Sequence, residues 1–152
     1  MSEASLPAAD PRPTGDALVA LLNDALGTLF APWLAGLSLR VCEAREGEVV
    51  LALPVAAPHV HGGGVMCGQT MMAAADTAMV LAVMSKLGSF RPMTTVQLQT
   101  SFLRPVPGKA GGDCRVTARV LRMGRSLAFG EIEIAGPDGQ LAAHATTSYM
   151  LL

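Results

Sequence analysis

The sequence predicts an α+β fold in which a curved antiparallel sheet of five to six strands wraps around one long central helix, with a shorter helix near the N-terminus. Residues 67–87 are apolar nearly all the way round, which indicates a helix buried on most of its faces. Most of the chain after Leu37, outside this segment, alternates apolar and polar residues at the spacing of β-strands. Because a sheet can cover such a helix only by curling around it, the two patterns together predict this architecture.

The N-terminal part of the chain is predicted to hold a flexible tail followed by a helix. Residues 1–13 are rich in Ala and Pro, a composition typical of mobile tails, and residues 14–152 are expected to form a single domain. Thr14 is a suitable N-cap, and leucines then recur at helical spacing until Pro32, which is expected to end the helix.

The strands are predicted from alternation and from the turn signals between them. A hairpin is expected to begin at Leu37 and to turn at residues 46–48. Four further strands are expected after the long helix, over residues 94–103, 114–120, 127–135 and 141–152. In the third of these the bulky residues change phase between Phe129 and Ile132, and we expect a β-bulge at Gly130 to account for the change.

Composition and charge limit the kinds of partner and compartment. Hydrophobic residues make up 51% of the chain and charged residues only 15%, so we expect some apolar surface to be buried between copies of the chain. The net charge of −1 argues against nucleic acid, and the longest apolar stretch, residues 71–84, is too short to cross a membrane. The three cysteines lack metal-ligand spacing and no secretion signal is evident, so we expect a cytoplasmic protein without a metal.

Asp76 is the residue of the long helix that most needs an explanation. Its neighbours are Ala, Thr and Met, and no Lys or Arg lies within one helical turn on either side. A carboxylate in such surroundings costs free energy unless polar groups compensate it, and acids retained in apolar clefts are candidates for function. From the helix alone, a catalytic carboxylate and a core Asp bonded to backbone or to a neighbouring hydroxyl are equally good interpretations.

Several short motifs connect this helix with a known family. They are Met-Cys-Gly-Gln at residues 66–69, Ala-Asp-Thr-Ala at 75–78, Thr-Val at 95–96, Ser-Phe-Leu-Arg-Pro at 101–105 and, more weakly, Gly-Arg at 124–125. From about Leu37 onward the chain resembles the hotdog-fold thioesterase superfamily, specifically the branch typified by the phenylacetic-acid-degradation thioesterase. The resemblance implies hydrolysis of acyl-CoA thioesters with no cofactor, since coenzyme A is part of the substrate.

The resemblance also gives a register for the motif. In that family a His-Gly-Gly turn opens the central helix, and an Asp or Glu follows nine residues after the His. Counting back from Asp76 puts Cys67 in place of the His, Gly68 at the first Gly and Gln69 in place of the second. Starting the turn at His61 instead would leave Asp76 six residues too far along, about 9 Å on a helix, so we reject that register.

Two of the matched positions carry the chemistry that the resemblance implies. The N–H group of Gly68, at the positive end of the helix dipole, would bind the thioester oxyanion, with Cys67 and Gln69 beside it. A tight turn is the structural alternative for Gly68. Asp76 would act as general base on water or as nucleophile on the acyl carbon, and the sequence leaves both roles open.

The remaining matched residues are weaker candidates, and each has a structural alternative. Thr95 matches a hydroxyl that positions water in some members and that a partner subunit contributes, although a strand Thr is also commonly structural. His61 lies in the preceding loop, where the family often has an Asn or Gln near the oxyanion, although a loop His is commonly only solvated. Arg104, Arg122 and Arg125 would contact coenzyme A phosphates, or else be solvated surface charges.

Four functional hypotheses follow from these residues. The first is hydrolysis of acyl-CoA by a homodimer, or by a dimer of dimers, with sites at the subunit boundary. The second, favoured by the replacement of the family's His and second Gly, is acyl-thioester binding without catalysis. The third is a hydratase or dehydratase. That class typically brings an Asp or Glu together with a catalytic His in a characteristic segment, and no such segment is evident in this sequence. The fourth makes Cys67 a reactive thiolate, because helix N-termini lower thiol pKa values.

Overall fold

The computed structural model describes residues 12–152, so nearly all of the predicted tail over residues 1–13 lies outside the described residues. Helix α1 spans Gly15–Thr28 and helix α2 spans Gly68–Leu87. Two short 3-10 helices cover Pro32–Leu37 and Ala57–His59. The strands are β1 Arg40–Arg45, β2 Glu48–Pro54, β3 Met93–Phe102, β4 Asp113–Met123, β5 Leu127–Ala135 and β6 Leu141–Leu151.

The six strands form a single antiparallel sheet with α2 packed on its inner face. The strand order is β1-β2-β4-β5-β6-β3, which leaves β1 and β3 at the two edges. The helix meets the sheet through small side chains such as Ala74, Ala78 and Ala82, all fully buried. The inner face of the sheet supplies branched partners such as Val116 and Ile132. The predicted α+β architecture, with a sheet wrapped around one long helix, is confirmed.

Burial in the fold explains why α2 is so apolar. Its length and composition would suit a membrane span, but 67% of its most apolar stretch is buried inside the protein. Twelve of its twenty residues are buried, so the helix forms the centre of the core rather than an amphipathic surface element. Asp76 is the one acidic residue in this helix.

The N-terminal elements differ in detail from the sequence prediction. Helix α1 begins after Thr14 as expected but ends at Thr28, before Pro32. The expected start of the hairpin at Leu37 is wrong, because Pro32–Leu37 forms a 3-10 helix and β1 begins at Arg40. Between the two, Ser38 takes a left-handed conformation with φ 53°.

The β-bulge expected at Gly130 of β5 lies in the neighbouring strand β4 instead. Strand β5 alternates without a break, since Gly130 and Ile132 are buried and Phe129 is 42% exposed on the outer face. The extra residue is Leu121 in the neighbouring strand β4, opposite the step from Gly130 to Phe129. The change of phase in the sequence therefore reflects an outward-facing aromatic residue in β5.

Candidate active site

Two hydroxyl groups hold the carboxylate of Asp76 from the sheet side. Asp76 is half-buried on α2, and its Oδ1 accepts a hydrogen bond from Thr95 Oγ1 at 2.9 Å and another from the Tyr149 hydroxyl. Thr95 on β3 and Tyr149 on β6 are directly paired across the sheet, so both reach the same helix residue. The Tyr149 oxygen also lies 2.9 Å from the main-chain oxygen of Asp76. The carboxylate is thereby held in one orientation.

The second oxygen of this carboxylate has no hydrogen-bond partner in the part of the chain that the structure describes. Among residues 12–152, the hydrogen bonds of the Asp76 side chain all go to Oδ1. Asp76 also lines a cleft of about 270 Å³, which Phe30, Trp33 and Leu34 close on the side of the N-terminal segment. One oxygen is thus fixed by the fold, while the other is available to water or to a ligand.

Tyr149 is a site residue that the sequence interpretation missed. It is 1% exposed, and this burial raises the pKa of its hydroxyl far above the ordinary value of 10.0, with the negative charge of Asp76 raising it further. The hydroxyl therefore stays protonated and donates to the carboxylate. The alternation of β6 indicates only that Ala145, Thr147 and Tyr149 all face the core, which does not single out Tyr149 as a partner of Asp76.

Thr95 donates its hydrogen bond to Asp76 of the same chain and not to an Asp76 of a partner subunit. We expected this hydroxyl to come from a partner, whereas Thr95 contacts Asp76 of its own chain. The strand carries a bulge between Thr95 and Gln97, which interrupts its regular register with β6 at the level of the carboxylate. Thr95 and Asp76 therefore form one unit within each protomer.

Gly68 opens helix α2 and has a packing reason to be glycine. A Cβ atom at this position would lie 3.0 Å from Cζ of Phe102, so a side chain would press on that ring. The backbone is not left-handed at Gly68, so the contact with Phe102, and not the backbone conformation, accounts for a glycine there. The Gly68 N–H group has no backbone acceptor among the described residues, as expected for the first turn of a helix.

Within one chain the structure separates Gly68 from Asp76. They are eight residues apart on the same helix, which corresponds to about 12 Å along its axis. The carbon and oxygen of a single carbonyl group cannot span this distance. An oxyanion bound at Gly68 and an acyl carbon beside Asp76 therefore cannot belong to the same substrate in one protomer.

Cys67 and Gln69 flank the start of the helix in different environments. Cys67 is half-buried as the N-cap, and its Sγ lies 2.9 Å from Oγ1 of Thr70. This hydrogen bond, helped by the backbone N–H groups of the first turn, lowers the pKa of the Cys67 thiol. Gln69 is exposed. By contrast, burial raises the pKa of the Cys114 thiol to about 11.

His61 lies in the turn that precedes the helix, and its ring orientation is fixed by the backbone. Its Nδ1 accepts a hydrogen bond from the N–H of Gly63 at 2.8 Å. In the neutral ring the remaining hydrogen is then on Nε2, which makes His61 an exposed donor. Because α2 begins at Gly68 and residues 62–64 form a turn, the rejected register starting at His61 is indeed incompatible with the helix.

The three candidate arginines are exposed and lie at opposite ends of the sheet. Arg104 borders a cavity of about 380 Å³ beside the turn between β5 and β6. Arg122 and Arg125 lie at the end of β4 and in the turn that follows it. Among the described residues none of the three pairs with an acid. Within one protomer, Arg104 is therefore far from Arg122 and Arg125.

No metal site is found in the part of the chain that the structure describes. Over residues 12–152, no three His, Cys, Asp or Glu side chains converge as ligands of an ion would. The buried His59 has both ring nitrogens near carbonyl oxygens, Nδ1 at 2.9 Å from Pro54 and Nε2 at 3.0 Å from Gly36. This ring therefore ties the first 3-10 helix to the end of β2.

Comparison with known proteins agrees with this fold. Residues 58–143 match the family model of the thioesterase superfamily. A candidate esterase from Thermoplasma volcanium is 32% identical over 107 residues, which is 70% of this chain and 77% of that protein. A conserved protein from Pseudomonas aeruginosa is 29% identical with a TM-score of 0.75, over 84% of this chain and 99% of that one.

A further solved structure bears on the fold alone. The E. coli PaaI protein from the phenylacetic acid degradation operon has a TM-score of 0.75 at 23% identity, over 88% of this chain and 93% of that one. The predicted hotdog fold is thereby confirmed. Because the family model covers more than half of its residues, this chain belongs to the thioesterase superfamily, and its reaction class is the hydrolysis of thioesters.

Proposed function

We propose that this protein hydrolyses acyl-CoA thioesters and that the Asp76 carboxylate is the catalytic group. The observation that carries the proposal is the different environment of its two oxygens. Oδ1 accepts hydrogen bonds from Thr95 and Tyr149, while Oδ2 has no partner among residues 12–152 and the residue opens on a cleft. A carboxylate held in this way is oriented by its neighbours yet remains free to act on water or substrate.

Two routes use this carboxylate, and neither needs a cofactor. As a general base, Asp76 takes a proton from water while the water oxygen bonds to the acyl carbon; the C–S bond then breaks and the proton passes to the leaving thiolate. As a nucleophile, Oδ2 bonds to the acyl carbon and displaces the thiolate, and water then hydrolyses the resulting anhydride. Both routes build negative charge on the carbonyl oxygen, so both need an oxyanion donor.

We assign that donor to the Gly68 N–H group of a second copy of the chain. Met72 is the midpoint between Gly68 and Asp76 on α2. A two-fold axis passing beside the helix at the level of Met72 would set two α2 helices antiparallel and place Gly68 of one copy opposite Asp76 of the other. Packed helices lie about 8–10 Å apart, a gap that a thioester group can bridge.

The free edge of the sheet supports the same axis. β3 is an edge strand, and its side chains are unusually exposed for an element beside the core, with Val96 at 57% and Phe102 at 50%. Phe102 contacts Gly68 and Thr95 contacts Asp76, so the middle of β3 is level with Met72. Antiparallel pairing of two β3 strands about this point would close the β3 edge of each copy and form the homodimer.

The candidate coenzyme A residues fit this arrangement. Arg104 follows Phe102, at the Gly68 end of the protomer, and Arg125 lies near the Asp76 end, where its carbonyl oxygen accepts a hydrogen bond from Arg91 just before β3. In the proposed dimer these two ends meet at one site. We therefore propose that Arg104 from one copy and Arg122 and Arg125 from the other contact the coenzyme A phosphates.

The residues around the start of α2 complete the proposed oxyanion site. We assign His61 to it as a second donor, because its ring carries hydrogen on Nε2 in the neutral form. Cys67 and Gln69 would line the path of the thioester at the same helix end. A dimer of dimers is the alternative oligomeric state, and the mass of the protein in solution distinguishes it from a dimer.

The test compares hydrolysis of a series of acyl-CoAs by the parent and by Asp76→Asn. We expect kcat/KM to fall by about two to four orders of magnitude, the usual contribution of a positioned acid or base. Asp24→Asn is the matched control, since Asp24 is exposed on α1 and its side chain makes no hydrogen bond to a described residue. Equal rates in parent and Asp76→Asn would refute the assignment. Tight binding without turnover across the series would instead favour a non-catalytic acyl-ligand protein.

A further inference from the structure

The cleft beside Asp76 has both polar and apolar lining. Its polar residues are Asp76, Thr77, Thr94, Thr95 and Tyr149. The apolar wall is formed by Phe30, Trp33, Leu34, Ala73, Val80 and Met93. A thioester has the same layout, with a reactive carbonyl joined to an apolar acyl group, so the wall lies where the acyl group would be bound.

A second cavity adjoins this wall. It has a volume of about 250 Å³ and shares Phe30, Leu34 and Thr77 with the cleft, so these three side chains form the partition between the two spaces. Two of its polar side chains are already hydrogen-bonded: Asn23 bonds the backbone of Val41 in both directions, and Thr77 donates to the Ala73 carbonyl oxygen. The second cavity is therefore suited to an apolar chain.

The partition is carried by a segment held in a fixed position. Leu34 belongs to the six-residue 3-10 helix Pro32–Leu37, which is longer than such helices usually run and is followed by Ser38 in a left-handed conformation. The buried His59 ring bonds the Gly36 carbonyl oxygen of the same helix at 3.0 Å. The side chains of this segment therefore stand at a defined depth above Asp76.

We propose that Phe30 and Leu34 set the upper size limit of the acyl group, which rests on the proposed function of the Asp76 site. A cavity of about 150 Å³ holds one benzene molecule. A cleft of about 270 Å³ thus takes one ring with its linker, or an aliphatic chain of similar bulk, but not two rings. Removing the partition would nearly double the space open to the chain.

The test measures kcat/KM from butanoyl-CoA to palmitoyl-CoA for the parent and for Leu34→Ala. The parent should favour short acyl groups. Leu34→Ala should raise the palmitoyl-to-butanoyl ratio about tenfold, the gain expected from burying two further methylene groups. Leu34→Phe, which enlarges the partition at a half-buried position, should lower the ratio and covers the case of a poorly folded Ala variant. Leu29→Ala is the matched control, because Leu29 is 45% exposed and lines neither cavity.

A second measurement separates this proposal from the proposed function. Trp33 is the only tryptophan of the chain and lines the cleft, so its fluorescence reports occupancy without turnover. Butanoyl- and palmitoyl-CoA thioethers are titrated into the parent and Leu34→Ala, with coenzyme A alone as reference. We expect the short thioether to change the emission of both proteins, and the long one to bind about tenfold more tightly to Leu34→Ala.

The outcomes of the two measurements are distinct. If hydrolysis depends on Asp76 but neither Leu34 variant alters the chain-length profile, the size limit is refuted and the proposed function stands. If no acyl-CoA is hydrolysed, the proposed function fails, and the thioether titration alone decides the size limit. Equal affinity of the long thioether for the parent and Leu34→Ala would then overturn it.

Discussion

At the scale of single residues, the candidate site depends on hydroxyl groups that orient one carboxylate. Tyr149 is almost fully buried and donates to Asp76, and Thr95 donates to the same oxygen. Hydrogen bonds to a charged group are among the stronger ones in proteins, at about 1.5–3 kcal/mol each. The arrangement therefore explains how an acid is kept in an apolar helix and aimed at a cleft.

The titration of Tyr149 tests this arrangement. It is the only tyrosine of the chain, so the ultraviolet absorbance of tyrosinate reports this hydroxyl alone. Because burial and Asp76 raise its pKa above 10.0, the folded protein should show no tyrosinate just above pH 10, whereas the urea-unfolded chain should ionise there. Tyrosinate in the folded protein near pH 10 would contradict the contact with Asp76.

The same pKa shift predicts how stability changes with pH. Above pH 10 the unfolded chain loses the Tyr149 proton and the folded protein keeps it, so the contribution of this group is full below pH 10 and falls as the pH rises. Urea unfolding of Tyr149→Phe should therefore show less alkaline loss of stability than the parent.

Asp76 could be recognised from sequence because its apolar neighbours leave it conspicuous. Thr95 could be proposed only through its family motif. Tyr149 could not be identified, because nothing in its local sequence distinguishes it from any inward-facing strand residue. It reaches Asp76 only because β6 pairs with β3, from which it is far away in the chain. Such contacts depend on topology rather than on local pattern.

At the scale of elements, the fit of helix α2 against the sheet requires a glycine in β5. A Cβ atom at Gly130 would overlap the end of the Met79 side chain and lie 2.7 Å from the main-chain oxygen of Arg119. The Met79 side chain can move, but the β4 backbone cannot move without disturbing its pairing. Gly130 therefore sets the distance between the helix and the sheet.

Gly130→Ala should destabilise the protein by about 1–3 kcal/mol, as expected for overpacking of a core. This corresponds to a fall of several degrees in Tm for a domain of this size. Gly124→Ala is the control, since the nearest atom to its added Cβ lies at 3.6 Å and its φ is not left-handed. Thermal unfolding of both variants checks the prediction, and equal Tm values would contradict it.

The long helix and most strands could be predicted because their periodicity is a local property of the sequence. The 3-10 helix Pro32–Leu37 could not, since Leu37 also fits the alternation with Leu39 and Val41 that predicts a strand. The bulge was misplaced for a related reason: Phe129 was assumed to face the core, whereas it lies on the outer face. The apolar wall of the cleft beside Asp76 was not predicted either, because Trp33 and Leu34 of that wall belong to this 3-10 helix.

At the scale of the whole molecule, the proposed dimer makes Met72 a contact between copies. Met72→Asp would put two carboxylates close together at the two-fold axis, and their repulsion and desolvation should dissociate the dimer. Mass measured by sedimentation should fall to that of one protomer, and hydrolysis should be lost although Asp76 keeps its own partners. Phe90→Asp is the control, since Phe90 lies beyond α2 and is 45% exposed. An unchanged mass for Met72→Asp would contradict the proposed axis.

Mixing two inactive variants tests the shared site most directly. One chain carries Asp76→Asn. The other carries Gly68→Pro, which removes the N–H group at a helix position that favours proline, with Phe102→Leu to make room for the ring. Cys67, with φ −72° and ψ 147°, already has the backbone conformation that precedes proline.

After the two chains are unfolded and refolded together, half of the dimers should be mixed, and each mixed dimer should contain one intact site. Hydrolysis should then recover to about a quarter of the parent rate, as two-fold symmetry requires. No recovery in dimers shown by differential tagging to be mixed would mean that Gly68 and Asp76 do not act on the same thioester from two chains.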